Sequence, residues 1–514
     1  MKKLPIGIQS FEKIRSEDYY YVDKTFFIEK LVKEGSYYFL SRPRRFGKSL
    51  FLDTLKQAFL GRKELFKGLY LEDHWDWSKS YPVVHIDFAG GVVKDAPDLE
   101  NWIIHQLKRN EEELHIKCED YKDYRACFEE LIIRASKEHN QRVVVLIDEY
   151  DKPILDRIEE EDEARRIREV LKNFYSVLKP LDRYLKFVFL TGVSKFSKVA
   201  IFSGLNQLKD ITLSPDYSTI CGYTQKEFET TFKDLLEGED LKEIKLWYNG
   251  YSFLGEPLYN PFDILLYLSE RIFHPYWFET GTPTFLINLL MKKQYFLPKM
   301  EGLKATDRLL SSFDVGHIEP TALLFQTGYL TIKNYEKSPM GVIYHLTYPN
   351  KEVKIALHDH LLVYYIGGES EVDFAKIEVR EVLKKGDVKE IERILKGLFS
   401  SIPYEWYRKN NLSEYEGYYA SVVYSFLRGA GLELVAEDYT SKGRIDLTIL
   451  YDDKAYVMEF KVVESEGQEP KAINQLKEKG YHEKYKDRVK EIYLIGIDFS
   501  ETLRNIQHFE FEKV

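Results

Sequence analysis

The chain has 514 residues, of which 44% are hydrophobic and 31% are charged, and its formal net charge is -10. These values predict a globular protein of two to four domains and exclude both a membrane-embedded chain and a uniformly basic nucleic-acid binder. The three cysteines show no C-x-x-C spacing and the first eleven residues contain no apolar signal-peptide core, so we expect a cytoplasmic protein without a structural zinc site.

Residues 36–214 alternate between strand and helix patterns. Short apolar runs predict strands at Tyr37–Leu40, Val83–Phe88, Val143–Ile147 and Phe187–Leu190. The third run is continuously apolar and β-branched, which is typical of a strand that is buried on both faces. Helical spacing over Leu50–Leu60 follows the first run. Strands separated by helices indicate an α/β fold with a doubly wound, mostly parallel sheet.

Residues 215–403 are dominated by helical patterns and form the predicted middle region. Within this region, Thr321–Lys333 followed by Val342–Thr347 could form a small module of a helix and strands, for which a winged helix is a candidate. The middle region is also a candidate lid.

Residues 404–514 are predicted to form a compact α/β unit in the order helix, three strands, helix, strand. The predicted helices are Glu414–Arg428 and Lys471–Tyr485. The predicted strands are Glu433–Glu437, Arg444–Leu450, Ala455–Val462 and Glu491–Ile497.

The segment Ser41–Ser49 joins the first predicted strand to the first predicted helix, which is the context of a P-loop (Walker A). Free amide groups and the dipole at the start of a helix favour a phosphate there. After Gly47, Lys48 would reach the β- and γ-phosphates of ATP, and Ser49 would bind Mg²⁺. The alternative is that Gly47-Lys48-Ser49 is a chance tripeptide.

The loop departs from the usual P-loop pattern at one position. The first glycine, five residues before Gly47, is replaced by Arg42, and Pro43 removes one backbone donor. Arg44 or Arg45 would compensate by contacting the phosphates.

The third predicted strand ends in two acids, which is typical of a Walker B motif. Asp148 would hold Mg²⁺ through water, and Glu149 would polarise the attacking water. Thr191 or Ser194, at the end of the next strand, would sense the γ-phosphate. The alternatives are a solvated strand end and a turn with local hydroxyl hydrogen bonds.

A second group of charged residues lies on predicted strands near the end of the chain. Asp446 precedes Glu459-x-Lys461 by thirteen residues. Alternation places Glu459 and Lys461 on the same face, and a hairpin would bring Asp446 beside them. Two carboxylates and an amine can hold a divalent cation and orient a water. The alternative is an ion pair at a sheet edge.

Three further residues are candidate auxiliaries of this second group. Glu416 could add a carboxylate, and Gln475 and Tyr481 could contact the substrate or position the lysine; surface roles are equally consistent with the pattern. A locally basic stretch follows, which either tracks a phosphate backbone or is a solvated face. It consists of Lys471, Lys477, Lys479, Lys484, Lys486, Arg488 and Lys490.

Together these motifs resemble a bacterial family that pairs an AAA-ATPase-like N-terminal domain with a C-terminal nuclease domain of the PD-(D/E)XK superfamily. The N-terminal resemblance is carried by Leu4–Gly7, Tyr21–Thr25, Arg42–Ser49, Ile147–Asp151 and Trp247–Tyr251. The C-terminal resemblance is carried by Gly443–Asp446, Glu459–Lys461, Gln475 and Tyr481. In this family the arginine-rich loop is the form that the P-loop takes.

The resemblance implies ATP as a ligand, ATP hydrolysis, and a restriction-endonuclease-like domain that uses Mg²⁺ or Mn²⁺. Asp446 and Glu459 would bind the metal, and Lys461 would help to activate water. Domains are therefore expected at 1–214, 215–403 and 404–514. The expected partner is nucleic acid, and DNA rather than RNA. No membrane association is expected, and a homo-oligomer is left open.

Three functions fit these expectations. The first is an ATP-regulated nuclease, in which the nucleotide state gates access to the C-terminal site. The second is a nucleotide-dependent switch or binding protein whose nuclease-like domain binds nucleic acid or a partner without cutting. The third is a scaffold in which both sites are remnants.

Overall fold

The structure, a computed structural model, describes residues 2–514 except 120–122, 196–200, 203–204, 278–283, 294, 311–312, 340, 367–369, 403–415 and 464–468. The chain forms two compact units. The first contains Met1–Trp277 and Lys304–Asn350, and the second contains Phe278–Leu303 and Lys351–Val514. Each unit is built from two separate stretches of chain.

Helices and strands occur in both units. The described α-helices are α1 (Phe11–Ser16), α2 (Phe26–Glu34), α3 (Lys48–Phe59), α4 (Ala96–Leu114), α5 (Tyr124–Glu138), α6 (Lys152–Leu155), α7 (Glu161–Ser176), α8 (Gln225–Thr231), α9 (Leu241–Tyr248), α10 (Pro261–Glu270), α11 (Thr284–Lys292), α12 (Asp307–Leu310), α13 (Pro320–Thr327), α14 (Lys351–Ile366), α15 (Ser370–Lys385), α16 (Val388–Ser400), α17 (Glu416–Gly429) and α18 (Lys471–Lys479). The described strands are β1 (Tyr37–Ser41), β2 (Val83–Asp87), β3 (Val143–Asp148), β4 (Leu185–Gly192), β5 (Lys209–Asp210), β6 (Tyr223–Thr224), β7 (Asn249–Tyr251), β8 (Leu258–Tyr259), β9 (Lys304–Thr306), β10 (Phe313–Asp314), β11 (His317–Ile318), β12 (Thr331–Ser338), β13 (Gly341–Thr347), β14 (Leu434–Thr440), β15 (Gly443–Tyr451), β16 (Lys454–Val463), β17 (Glu491–Ser500) and β18 (Asn505–Lys513).

The first unit contains a five-stranded sheet in the order β2-β3-β4-β1-β5. Its pairings are all parallel, so the carboxyl ends of the strands meet at one edge. Every residue of β3 is buried, which explains its unbroken apolar sequence. The predicted parallel α/β sheet is confirmed. The two residues of β5 are too few for a sequence pattern and were not predicted.

Among the described residues, three smaller sheets belong to the middle of the sequence and lie in the first unit. β6, β7 and β8 form one, β9, β12 and β13 form another, and β10 and β11 form a two-stranded sheet. α13 precedes the antiparallel hairpin of β12 and β13, so the helix-then-strands order expected near residue 321 is present. The helical middle region is confirmed, and whether this module is a winged helix stays a prediction.

The second unit contains a five-stranded mixed sheet in the order β14-β15-β16-β17-β18. β16 and β17 are parallel, and the other neighbouring pairs are antiparallel. The predicted order of one helix, three strands, helix and strand is present, and β18 adds a strand that was not predicted. The start of the predicted first helix, at Glu414, falls outside the described residues.

The helix predicted over Lys471–Tyr485 is shorter in the structure. α18 ends at Lys479 because Gly480 takes the left-handed conformation, with φ +58. Tyr481 lies in a separate 3-10 turn, Tyr481–Lys484. The prediction of one continuous helix was wrong. The apolar residues keep a helical spacing beyond Lys479, and this spacing does not show that Gly480 ends the helix.

α18 packs directly against β17, and two residues of that strand make this close packing possible. A β-carbon at Gly496 would come within 2.2 Å of the backbone nitrogen of Ile473. The buried carboxylate of Asp498 accepts from the amides of Lys471 and Ala472, at 2.9 and 3.0 Å, and so satisfies the first turn of α18. These contacts fix the position of every α18 side chain relative to the sheet.

Among the described residues, no helix combines the length and the apolar character that crossing a membrane requires.

We expect Gly496→Ala to destabilise the second unit by about 1–3 kcal/mol, because the new methyl group forces α18 away from β17. Urea unfolding of the full chain measures this loss. The matched control is Gly397→Ala within α16, where a β-carbon would have no atom within 4 Å. That change should stabilise the helix by about 0.5–1 kcal/mol. Equal stability of the two variants would contradict the proposed close packing of α18.

Candidate functional site

The P-loop segment lies between β1 and α3, at the edge where the parallel strands end. Gly47 adopts φ +87, and a β-carbon there would have no atom within 4 Å, so open space lies beside the first turn of α3. Lys48 is buried and its Nζ donates to the carbonyl of Pro43 at 3.2 Å. Ser49 is half-buried in the same turn. The amides of this turn favour an anion, so the residues present fit a phosphate.

Arg42, the residue in place of the usual glycine, has a structural role. It is fully buried, and its guanidinium donates to the carbonyls of Ser41 and Thr212 at 2.9 and 2.8 Å. It also donates to the carbonyls of Tyr217 and Ser218, at 3.2 and 3.4 Å. Burial lowers the pKa of Arg42 to about 10. Arg42 therefore ties the loop to the chain that follows β5 and does not point at a ligand.

Arg44 and Arg45 follow on the same loop, and both are exposed. Asn260, which caps α10, donates to the carbonyl of Arg44 at 3.4 Å. The guanidinium of Arg45 lies 4.7 Å from the centre of the Phe262 ring. The first turn of α10 therefore holds this half of the loop.

The two predicted Walker B acids lie at the end of β3, beside Thr191 of β4. The Thr191 hydroxyl donates to the carboxylate of buried Asp148, and the amide of Glu149 donates to the same oxygen at 3.0 Å. Glu149 has φ +54, an uncommon conformation that turns its side chain out of the strand direction. Burial raises the pKa of Glu149, although the positive charges of Lys48 and Arg44 oppose this rise.

A further acid, Asp151, organises the loop that follows β4. Its fully buried carboxylate accepts from the amides of Val193 and Ser194, at 3.2 and 2.7 Å, and from the Ser194 hydroxyl at 2.6 Å. A β-carbon at Gly192 would come within 2.6 Å of Asp151 Oδ1. Asp151 was not a predicted site residue, and its only sequence signal was its place in the Asp148-Glu149-Tyr150-Asp151 run.

In the second unit, β15 and β16 bring together Asp446, Glu459 and Lys461. Leu447 pairs with Met458, so Asp446 and Glu459 occupy the next facing positions. Asp446 accepts from the amide of Phe460 at 2.9 Å. Lys461 Nζ donates to Glu459 Oε1 at 3.2 Å. The expected convergence of the three side chains is present in the structure.

Glu459 offers the strongest sign of a ligand at this second group. It is 1% exposed, and its Oε2 atom has no hydrogen-bond partner among the described residues. A buried carboxylate oxygen without a partner is costly. Burial, followed by repulsion from Asp446, raises the pKa of Glu459 to about 7. A divalent cation beside Oε2 would remove this cost, so the residues present fit a metal ion.

The predicted auxiliaries surround the same carboxylate. Glu416, at the start of α17, lies 3.7 Å from Lys461 Nζ. Gln475 on α18 donates to Glu459, and it also interacts with the Tyr481 hydroxyl. Burial alone would lower the pKa of Lys461. The net pKa is raised because the negative charges of Glu459, Glu416 and Asp446 outweigh this effect. Tyr481 is 3% exposed and packs in the core, so a surface position is excluded.

The predicted basic stretch is partly neutralised by acids. Lys477 pairs with Glu512 at 2.8 Å, and Lys490 pairs with Asp453 at 3.0 Å. Lys484 pairs with buried Asp438.

Arg444, which was not a predicted site residue, lies two positions before Asp446. Burial raises the pKa of the Asp446 carboxyl, and the charge of Arg444 opposes part of that rise.

Two family models match separate parts of the chain. The sequence model of a family described as a predicted AAA-ATPase matches residues 5–202, and that of the PD-(D/E)XK nuclease superfamily matches residues 414–509. A relative from Azotobacter chroococcum mcd 1, described as "Uncharacterized protein in vnfD 5'region", is 50% identical over 516 residues, which cover 100% of this chain and 99% of the relative. No solved structure matches.

We expect the metal-free second unit to lose stability as the pH rises. The folded chain holds a proton on Glu459 up to about pH 7, whereas the unfolded chain releases it near the ordinary pKa of 4.5. Folding is therefore weakened between these values, by roughly 3 kcal/mol for Glu459 alone. Urea midpoints at pH 5 and pH 8 with a chelator measure this loss. Glu459→Gln should flatten the dependence, and an unchanged slope in that variant would contradict the assignment.

We expect Arg42→Gly, which restores the usual P-loop glycine, to damage the site. Four carbonyls lose their donor and a cavity opens, so stability should fall by at least about 3 kcal/mol and ATP binding should weaken. Urea unfolding and titration with a fluorescent ATP analogue measure both effects. Arg44→Gly in the same loop is the stability control and should change stability by about 0.5 kcal/mol or less. Tighter nucleotide binding by Arg42→Gly would overturn the structural role of Arg42.

Proposed function

Because the chain belongs to the family of its Azotobacter chroococcum relative, and joins a predicted AAA-ATPase domain to a PD-(D/E)XK nuclease superfamily domain, we propose that it is an ATP-hydrolysing, metal-dependent nuclease. The observation that carries the nuclease half is the buried Oε2 atom of Glu459, which has no hydrogen-bond partner in the part of the chain that the structure describes and lies beside Asp446 and Lys461. We propose DNA rather than RNA as the substrate, and ATP turnover as the regulator of cutting.

Asp446 and Glu459 are the proposed ligands of Mg²⁺ or Mn²⁺. A bound divalent cation would supply Lewis-acid stabilisation of a phosphodiester and lower the pKa of a water. Lys461 holds the Glu459 carboxylate on one side and, as an ammonium, can donate to a phosphate oxygen or orient the attacking water. Gln475 donates to Oε1 of Glu459 from the helix side, while Oε2 has no hydrogen-bond partner among the described residues.

The proposed ATP site uses the first turn of α3 and the ends of β3 and β4. Lys48, Arg44 and Arg45 contact the phosphates, and Ser49 and Asp148 hold Mg²⁺. Thr191 fixes the Asp148 carboxylate through its hydroxyl and so couples the two strand ends. Glu149, whose pKa is raised by burial, is the proposed general base for water.

The test of the nuclease function is cleavage of plasmid DNA and of matched DNA and RNA oligonucleotides, with Mg²⁺ or Mn²⁺ and with or without ATP. We expect cleavage by the wild type, and a loss of at least about 100-fold in Asp446→Ala, Glu459→Gln and Lys461→Ala. Lys48→Ala should bind ATP weakly and lose the effect of ATP on cutting. The matched control is Lys385→Ala, an exposed lysine in the last turn of α15 that belongs to neither candidate site.

Two results would sink the proposal. Wild-type cleavage no faster than that of Asp446→Ala and Lys461→Ala would rule out the nuclease. Absence of Mn²⁺ binding to the second unit in calorimetry would favour the nucleotide-dependent binding protein instead.

A further inference from the structure

Three side chains that can bind a metal ion converge where α5 follows α4 in the first unit. Glu111 lies in the last turn of α4, Cys118 follows that helix, and Cys127 lies near the start of α5. Their ligand atoms, one carboxylate oxygen and two sulfurs, all lie within 4.8 Å of one another. None of the three residues belongs to the two candidate sites described above.

All three side chains are withdrawn from water. Glu111 is 4% exposed, Cys118 is 5% exposed and Cys127 is fully buried. The two cysteines are not joined in a disulfide. Burial of a carboxylate is costly unless hydrogen bonds or a cation compensate its charge. Cysteine sulfur and glutamate oxygen are both common ligands of Zn²⁺, so a cation that binds here would meet ligands of a suitable kind.

The contacts inside the group converge on Oε1 of Glu111. The amide of Cys118 donates to this oxygen at 3.2 Å, and the Cys127 thiol donates to it at 3.6 Å. The Cys118 thiol donates to the carbonyl of Cys127 at 3.3 Å. A thiol is a weak donor, so replacing its proton by a metal ion sacrifices little hydrogen bonding.

The spacing of the atoms suits a small tetrahedral ion. Zinc bonds of about 2.3 Å to sulfur and about 2.1 Å to oxygen place two ligand atoms about 3.6–3.8 Å apart. The distance of 3.6 Å from Cys127 Sγ to Glu111 Oε1 already has this value. The other pairs lie within 4.8 Å, so movements of about 1 Å or less would close the site.

The backbone beside Glu111 is held firmly on the sheet of the first unit. The neighbouring side chain, Asn110, is buried, and its Oδ1 accepts from the amide of His85 in β2 at 2.7 Å. Its Nδ2 donates to the carbonyl of the same residue at 2.8 Å. The end of α4 is therefore fixed before any ion binds, which keeps the ordering cost of the site small.

We propose that Glu111, Cys118 and Cys127 form a binding site for Zn²⁺ that ties the end of α4 to the start of α5. On binding, the two thiols lose their protons to the solvent, and their sulfurs and the carboxylate oxygen bond to the ion, without oxidation or reduction. One position of the ion is left for a ligand from the solvent. The inference is independent of the proposed ATP hydrolysis and nuclease activity.

Cysteine spacing does not reveal this group, which explains why no zinc site was expected from the sequence. Cys118 and Cys127 lie nine residues apart, and the third ligand is a glutamate on the preceding helix. The fold brings them together because α4 and α5 follow each other as neighbouring helices.

The test uses Co²⁺ as a coloured substitute for Zn²⁺. Bonds from cobalt to thiolate give a strong absorption in the near ultraviolet, which bonds to oxygen or nitrogen do not give. The full chain, reduced and stripped of metal with a chelator, is titrated with Co²⁺. We expect this absorption to saturate at about one equivalent per chain and to disappear when Zn²⁺ is added, because thiolate ligands favour Zn²⁺.

Substitutions then assign the absorption to the three residues. Cys118→Ser and Cys127→Ser should each remove at least about half of it, and Glu111→Gln should weaken Co²⁺ binding by at least about tenfold. Cys221→Ser is the matched control, since Cys221 is the remaining buried cysteine and lies outside the group. Glu459→Gln is the second control, because it removes the metal site proposed in the second unit. Both controls should keep the wild-type absorption.

Thermal unfolding of the wild type and of Glu459→Gln gives a readout that needs no cysteine variant to fold. Zn²⁺ should raise both midpoints, and a chelator should reverse the shift. Circular dichroism shows which serine variants are folded and so can be compared in the titration.

Four outcomes would overturn the inference. The first is a folded, reduced wild type without thiolate absorption. The second is unchanged Co²⁺ affinity in Glu111→Gln, and the third is loss of the absorption in Cys221→Ser. The fourth is a chain that binds no Co²⁺ through thiolate but loses the two thiol hydrogens of Cys118 and Cys127 under mild oxidation, since that pair would be a disulfide switch instead.

Discussion

Both candidate sites depend on one constraint, which is the compensation of carboxylates buried within strands or directly after them. A carboxylate removed from water must gain hydrogen bonds, a cation or a proton. One oxygen of Glu459 accepts from Lys461 and Gln475, and its other oxygen has no partner among the residues that the structure describes. At the end of β3, Asp148 is held by the Thr191 hydroxyl, and Glu149 lies within the field of Lys48. In the second unit, a cation beside Glu459 Oε2 would supply the compensation that the described residues do not give this oxygen.

The two sites are held rigid by different means. In the second unit, Gly496 and Asp498 dock α18 on β17, and the docked helix places Gln475 against Glu459. In the first unit, the buried guanidinium of Arg42 fixes the loop that a glycine would leave more mobile. An arginine can replace the glycine because its side chain turns into the protein, where backbone carbonyls satisfy it.

Much of this arrangement could be predicted from the sequence, since strong local patterns have direct structural consequences. The apolar run of β3 predicted a central strand, and alternation along β16 placed Glu459 and Lys461 on one face. The role of Arg42 could not be predicted, because it depends on carbonyls about 170 residues away in the chain. The same holds for Asp151 and the loop after β4. Tyr481 was placed on a helix because apolar spacing does not reveal that Gly480 takes a left-handed conformation.

The most direct test of the account is the position of a metal ion in the second unit. Crystals of the full chain soaked in Mn²⁺ and measured for anomalous scattering would locate it. The account predicts one strong peak within about 2.5 Å of an oxygen of Glu459 and of Asp446, absent from Glu459→Gln. Full occupancy elsewhere, with Glu459 Oε2 still unpartnered, would contradict it.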